Sequence, residues 1–239
     1  MSIYAVWGPP QSGKTTLAID LAFALSTEGQ SVCLISPEPY SELSARLNIQ
    51  IVEEKSLCTA YKKKESLRQI VHTADDLLYV LAVPFDYDAF ADEIPEEYAK
   101  ALIDQTAKLF DVVIVDCPSH SGCVLAAWAL SAAEYVLLMS GGNTSSVLWA
   151  KAFKRAIDSL DGRVFRICAQ VTENFDYRTL HTMLNVSPDI WLPHIPNATI
   201  LQLVKRTLYQ SGGRVGRQYT KHIEEICDLL QGEEDEDTE

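Results

Sequence analysis

Residues 3–25 read IYAVWGPPQSGKTTLAIDLAFAL, and the fold is decided by this stretch. Ile3-Tyr4-Ala5-Val6-Trp7 is a short apolar run with the length of a buried strand. Gly8-Pro9-Pro10-Gln11-Ser12-Gly13 is a turn. Lys14-Thr15-Thr16 then opens a helix with Leu17, Leu21, Ala24 and Leu25 on one face. Gly8, Gly13, Lys14 and Thr15 satisfy G-x-x-x-x-G-K-[ST], the pattern of a phosphate-binding loop. The spacing has a physical basis. Backbone N–H groups of the loop and of the helix N-terminus converge on phosphate oxygens, and the helix dipole favours the same negative charge. Lys14 is placed for the β- and γ-phosphates and the Thr15 hydroxyl for Mg²⁺, with Gln11, Ser12 and Thr16 completing the cradle. A chance match would need neither the strand before it nor the helix after it, and both are present. The expectation is a chain that binds a nucleoside triphosphate or descends from one that did.

Outward from this stretch, apolar runs predict further strands at 31–36, 77–83, 111–116, 134–140, 164–171 and 189–192. Helices are predicted near 40–47, 96–110, 124–133, 145–160, 177–184, 198–210 and 217–230. Region 48–73 carries no clear period, and its Lys62-Lys63-Lys64 run reads as a solvated turn. Strands alternating with helices predict an α/β fold, a doubly wound, mainly parallel sheet of seven strands with helices on both faces. Residues 1–230 are expected to form one nucleotide-binding domain. Residues 231–239 form an acidic tail with nothing to bury, expected to be disordered.

Composition narrows the class. The chain has 239 residues, of which 47% are hydrophobic, enough for a substantial core. Its net charge is −13, and six of the acids fall in 233–239, so the body remains acidic. That disfavours broad affinity for nucleic acid. Six cysteines show no C-x-x-C pair, and Cys33, Cys117 and Cys168 sit in apolar runs, so neither a metal site nor a disulfide framework is expected. No signal peptide precedes the first strand, and the longest apolar span, 124–139, is broken by Glu134 and too short for a bilayer. A cytoplasmic protein without membrane insertion is expected.

A second piece of chemistry is Asp116, which ends an apolar run of four residues. Ligands bind at the carboxyl ends of strands in such sheets, so this acid emerges beside the phosphate loop, where Mg²⁺ is held.

Val113-Ile114-Val115-Asp116-Cys117-Pro118, followed by Ser119 and Gly122, resembles the second switch region of the ParA/MinD family of P-loop ATPases (SIMIBI class). Leu192-Pro193-His194-Ile195-Pro196-Asn197, a helix and a Gln-Ser-Gly-Gly turn are similar to that family's C-terminal third. The resemblance spans roughly residues 2–230. It implies ATP and Mg²⁺ as ligands, with Asn174 and the Pro196–Asn197 loop on adenine. The lack of any N-K-x-D or T-K-x-D sequence agrees, since those would read guanine. It also implies a nucleotide-dependent homodimer and an unidentified protein partner or cargo.

The departures are informative. Family members carry an early loop lysine that crosses a dimer to the partner's phosphates; here Pro9 stands in that place. Pro9 and Pro10 also remove two loop N–H donors. Where the family has a water-positioning Asp at the end of the second strand, this chain has Ser36-Pro37-Glu38. Glu38 either substitutes as a catalytic group beside Lys14 and Asp116 or is a surface acid in a Pro-rich turn.

The expectation is therefore an ATP-dependent positioning, partitioning or assembly factor with weak or partner-stimulated hydrolysis. The alternatives are a nucleotide-binding structural module without turnover, and a phosphotransferase or AAA-type ATPase. Cys117-Pro118 is not the acidic pair an AAA motor needs, and no Arg-rich lid suits a small-molecule kinase. Arg206, Arg214, Arg217 and Lys221 read as solvated surface ahead of a DNA patch, and the helix face of Tyr219, Ile223, Ile226 and Leu230 as core packing. His120 reads as exposed.

Overall fold

The apolar run after Met1 forms strand β1, Ser2–Trp7, inside an eight-stranded sheet. The computed structural model describes residues 1–62, 67–84, 94–141, 143–160, 162–171, 182–184, 186–204 and 207–232. Asn174, Lys63, Lys64, Arg206, most of the helix predicted at 177–184 and the acidic residues 233–239 lie outside the described residues. The remaining strands are β2 (Val32–Ser36), β3 (His72–Asp75), β4 (Leu78–Ala82), β5 (Val112–Asp116), β6 (Tyr135–Ser140), β7 (Val164–Val171) and β8 (Ile190–Pro193). Their spatial order is β3-β4-β2-β5-β1-β6-β7-β8, and every pairing is parallel except that of β3 with β4.

The sequence predicts seven of these strands. The eighth, β3, is an edge strand whose residues His72-Thr73-Ala74-Asp75 are polar but for Ala74 and at most partly buried, so no apolar run announces it. It joins β4 through a turn in which Leu77 takes a left-handed conformation, φ 60°. Placing the antiparallel pair at the rim leaves the parallel strands buried, as such sheets require.

Period-2 alternation divides the core. Tyr4 and Val6 face one layer with the helix α1 (Lys14–Thr27) and the C-terminal helix Gly213–Gln231. Ala5 and Trp7 face the other, with the helices Glu96–Leu109 and Val124–Ala132. In β5, Val112 and Ile114 lie on the α1 side, and Val113 and Val115 on the opposite side. Asp116 continues the alternation and emerges toward α1.

Two predicted helices change form. The one expected over 145–160 is divided into Thr144–Ala152 and Lys154–Ser159 at Phe153, whose ring packs edge-on against Trp7 at 5.4 Å. The one expected over 198–210 ends at Leu203. Beyond it Leu208 enters the core, and the Tyr209 N–H donates to Asp20 Oδ1 at 3.2 Å. The C-terminal helix begins at Gly213, earlier than expected, because Gly216 lets it approach the Ser211 carbonyl, which a Cβ there would strike. Tyr219, Ile223, Ile226 and Leu230 are buried on its inner face. The described helix extends through Gln231, whose amide donates to Glu28 at 2.7 Å.

Asp20 ties α1 to this C-terminal segment. Its carboxylate is fully buried and accepts from the Tyr219 hydroxyl at 2.7 Å as well as from Tyr209 N–H. Burial pushes its pKa up to about 6, against the lowering effect of those bonds and of Arg46. In the unfolded chain the same carboxyl titrates near 3.9. Between those values the folded state holds more protons, so this group's contribution to stability falls as pH rises from about 4 to 6. The prediction is that Asp20→Asn, measured by denaturant unfolding at pH 4 and pH 7, loses less stability over that interval than the unaltered chain. The expected difference is on the order of 2 kcal/mol. Parallel pH profiles would show that Asp20 titrates in the folded protein as it does in the unfolded chain.

Candidate nucleotide site

The site grows from the crossing of the sheet's topology. From β1 the chain runs out through β2 and β4, returns to place β5 between β2 and β1, and leaves the other way through β6, β7 and β8. That reversal opens a crevice at the carboxyl end of β1. The loop 8–13 fills its floor. Gly8 has φ 156°, and a Cβ there would lie 2.7 Å from the Met139 carbonyl oxygen, so only glycine lets the loop pass the end of β6. Gly13, φ 89°, is the left-handed cap of α1, and no side chain caps its first-turn N–H groups. Gln11 is exposed and also left-handed, φ 58°. Ser12 is buried, its hydroxyl donating to the Pro9 carbonyl at 2.8 Å.

Lys14 folds back over the loop. Its ammonium donates to the Pro9 carbonyl at 3.1 Å and to Ser119 Oγ at 2.5 Å. Burial lowers its pKa, while Asp116 and Glu38 act in the opposite direction. The Thr15 hydroxyl donates to Asp116 Oδ2 at 2.7 Å. Register explains the meeting, since Asp116 pairs with Val6 one strand over, just before the loop begins. Burial pushes the Asp116 pKa up to about 6, opposed by the Thr15 bond and by Lys14. Its second oxygen, Oδ1, is buried without a hydrogen-bond partner. An orphaned carboxylate oxygen beside a threonine hydroxyl fits a hard cation that takes oxygen ligands. Among the described residues no cluster of three or more His, Cys, Asp or Glu side chains forms an all-protein metal site. A cation here would take its other ligands from phosphate or water. No disulfide joins the six cysteines.

These groups line a polar cleft of about 620 Å³ that includes Gln11, Gly13, Thr16 and Glu38. Glu38 stands on the cleft wall with Oε1 buried and without a hydrogen-bond partner, 4.0 Å from His120 Nε2. Ser36 is fully buried below it and does not line the cleft. His120 is exposed. A second cavity of about 190 Å³ adjoins the cleft, sharing Gly13, Thr16, Gln170 and Gln202 with it. Its walls include Leu17, Leu192, Pro193 and Ile195. Pro196 and Asn197 are exposed on the loop bordering this cavity, and Asn197, φ 66°, caps the helix Ala198–Leu203.

Several contacts and placements escaped sequence reasoning. Pro9 is buried and faces away from the cleft into a separate cavity of about 210 Å³ shared with Leu138 and Trp149. The Trp149 indole N–H donates to the Ser119 carbonyl at 2.7 Å, so the loop after Asp116 is fastened to the Trp7–Trp149–Phe153 aromatic cluster. Arg46 and Gln202, from opposite sides, both donate to Thr16 Oγ1, at 3.1 and 3.2 Å. No local motif marks either residue. Only an amphipathic short helix, Leu43–Leu47, points to Arg46. Arg214 and Arg217 are exposed, Lys221 lies 3.5 Å from Glu225, and no described helix is long and apolar enough to cross a membrane.

Comparison with known proteins agrees with this geometry. The sequence model of the AAA domain family (AAA_31) matches residues 10–164. No curated protein matches the chain by sequence. The fold is similar to the septum site-determining protein MinD complexed with Mg-ADP from Pyrococcus horikoshii, with TM-score 0.77, 18% identity, and 98% of this chain and 99% of that one covered. It is similar to a putative plasmid partition protein from Borrelia burgdorferi bound to AMPPNP, with TM-score 0.78, 17% identity and coverage of 97% and 99%. A chain of the MinC:MinD cell division protein complex from Aquifex aeolicus matches with TM-score 0.78, 16% identity and coverage of 100% and 99%. The loop, the strand-end acid and the sheet order thus converge: this chain belongs to the AAA domain family and has the P-loop fold of the ParA/MinD ATPases.

Proposed function

We propose that this chain binds ATP with Mg²⁺ in the cleft above β1 and acts as a nucleotide-dependent positioning, partitioning or assembly factor. The observation that carries the reading is the Thr15–Asp116 pair, with its buried spare oxygen, at the uncapped N-terminus of α1. Lys14 takes the β- and γ-phosphates, exchanging two neutral acceptors, Pro9 O and Ser119 Oγ, for charged ones. Thr15 and Asp116 hold Mg²⁺, and at pH 7 a carboxyl with a pKa of about 6 is mostly ionised and ready for it. The ion, when bound, supplies charge neutralisation on the transferring phosphoryl group. Gly8, Gln11, Ser12, Gly13 and Thr16 complete the phosphate cradle. Adenine enters the smaller cavity, with the Pro196–Asn197 loop at its rim and Asn174 as its counterpart. The nucleotides named for the Pyrococcus and Borrelia proteins support this assignment, and the MinC:MinD complex supports a protein partner.

ATP with Mg²⁺ is expected to raise the melting temperature, and GTP to do so much less. A ligand at a hundred times its dissociation constant stabilises by about 2.7 kcal/mol. Equal shifts with both nucleotides would remove the adenine assignment, and no shift with either would make the loop vestigial.

Lys14→Ala is expected to abolish triphosphate binding, whereas Asp116→Ala retains nucleotide and loses Mg²⁺ dependence and turnover. Titrating Mg²⁺ into each variant with ATP present checks both. If Asp116→Ala kept Mg²⁺-dependent turnover, the metal assignment would fail.

Hydrolysis by the isolated chain is expected to be slow. Pro9 is buried where a cation would have to reach a facing subunit, and Glu38 is the acid closest in role to the water-positioning group. A cation acting in trans is worth about 10³ to 10⁵ in rate by arginine-finger precedent. Steady-state turnover, with Pro9→Lys alongside, decides between a slow ATPase and a binding module without turnover. Fast turnover in the unaltered chain would sink the explanation based on Pro9.

A further inference from the structure

We infer that Arg46 is a second phosphate-binding cation, acting on the phosphate nearest the nucleoside, and that it couples the helix Leu43–Leu47 to nucleotide occupancy. The inference rests on the nucleotide reading above but assigns a charge that the phosphate-loop pattern does not contain. Its starting point is Thr16. The Thr16 hydroxyl accepts from Arg46 Nη1 at 3.1 Å and from Gln202 Nε2 at 3.2 Å. A hydroxyl has two lone pairs and one hydrogen. With both lone pairs taken, Thr16 can only donate, so it presents a hydrogen to an acceptor.

Position identifies that acceptor. Thr16 and Gln202 line both the polar cleft and the smaller apolar cavity, so they stand at the seam between them. A ligand with a phosphate chain in one and a flat apolar ring in the other crosses that seam at the phosphate attached to its sugar. Lys14, two residues earlier in the cradle, serves the far end of the chain.

The charge balance around Arg46 points the same way. Its side chain is only 9% exposed, and the partner closest to it is a neutral hydroxyl. Glu42 Oε2 lies at 3.7 Å on a side chain that is 67% exposed. Asp20, the buried acid below, acts on Arg46 electrostatically more than any other charge but gives its hydrogen bonds to Tyr219 and Tyr209. Glu42 and, more weakly, Asp116 also act on Arg46 electrostatically, and Asp116 is hydrogen-bonded to Thr15. A buried guanidinium with five donors and no hydrogen-bonded carboxylate is suited to a bidentate phosphate contact. Because it sits on the helix that follows β2, its engagement moves or holds the segment carrying Ser41 and Glu42, which also line the cleft.

The test is calorimetric titration of the full chain with Mg-ATP and Mg-ADP, for the unaltered protein, Arg46→Gln and Arg46→Lys, with melting temperatures of the nucleotide-free forms. Loss of one charge-assisted phosphate contact predicts that Arg46→Gln weakens ATP and ADP alike by about 10- to 100-fold. Arg46→Lys is expected to recover part of that loss. Affinities within about twofold of the unaltered chain for both ligands would overturn the assignment and leave Arg46 a packing residue. A loss confined to ATP would move the contact to the far phosphate and overturn it too. If Arg46→Gln does not fold, Arg46→Met, which keeps the apolar stem, is read in the same way. Absence of binding by the unaltered chain would instead sink the nucleotide reading itself, a distinct result.

Discussion

The hydrogen bond from Thr15 to Asp116 joins the first turn of α1 to the end of β5, and the geometry of the site depends on the register that makes it. Because β5 lies directly against β1 with Val6 opposite Asp116, the acid comes level with the start of the phosphate loop. The alternation of β5 then turns its carboxylate to the α1 face, where Thr15 meets it at 2.7 Å. A slip of one residue in that pairing would send Asp116 to the opposite layer among Val113 and Val115. The parallel neighbours β5 and β6 on both edges of β1 hold the register. So does the packing of α1 against the C-terminal helix, which fixes where Thr15 sits.

Charge in the cleft is arranged around burial. Asp116 and Asp20 both have pKa values pushed up to about 6 by desolvation, and Lys14 is pushed down by the same cause. In each case burial outweighs the hydrogen bonds and opposite charges that act against it. Lys14 rests on neutral oxygens, Asp116 keeps one oxygen unpartnered, and Arg46 leans on a threonine hydroxyl. Unpaired buried charge is costly, and under the function proposed above a magnesium triphosphate, carrying both signs, would relieve cations and acids together.

The loop after β5 links that chemistry to the surface. Ser119 accepts from Lys14 at its hydroxyl and from Trp149 at its carbonyl, so this one residue joins the phosphate loop to an aromatic side chain of an outer helix. Trp149 lies in the helix Thr144–Ala152, whose Leu148 is 62% exposed. A short covalent and hydrogen-bonded route thus runs from Lys14 to an outer helix.

Much of this protein is written in local sequence. The strand–loop–helix of residues 3–25, the strand-end position of Asp116 and six further apolar strands follow from periodicity and from the glycine and lysine spacing, because each is a property of a few consecutive residues. The edge strand β3 was invisible because an exposed polar strand has no apolar signature. The breaks at Phe153 and Leu203 were invisible because they answer to Trp7 and Asp20, distant in the chain. The same reason hid Arg46 and Gln202. They meet on Thr16 from positions 30 and 186 residues away, through a contact that no local pattern encodes. The sequence by itself determined that a phosphate loop sits on a parallel sheet. Only the tertiary structure decided which side chains close around it, because strand order and register choose the neighbours of each strand end.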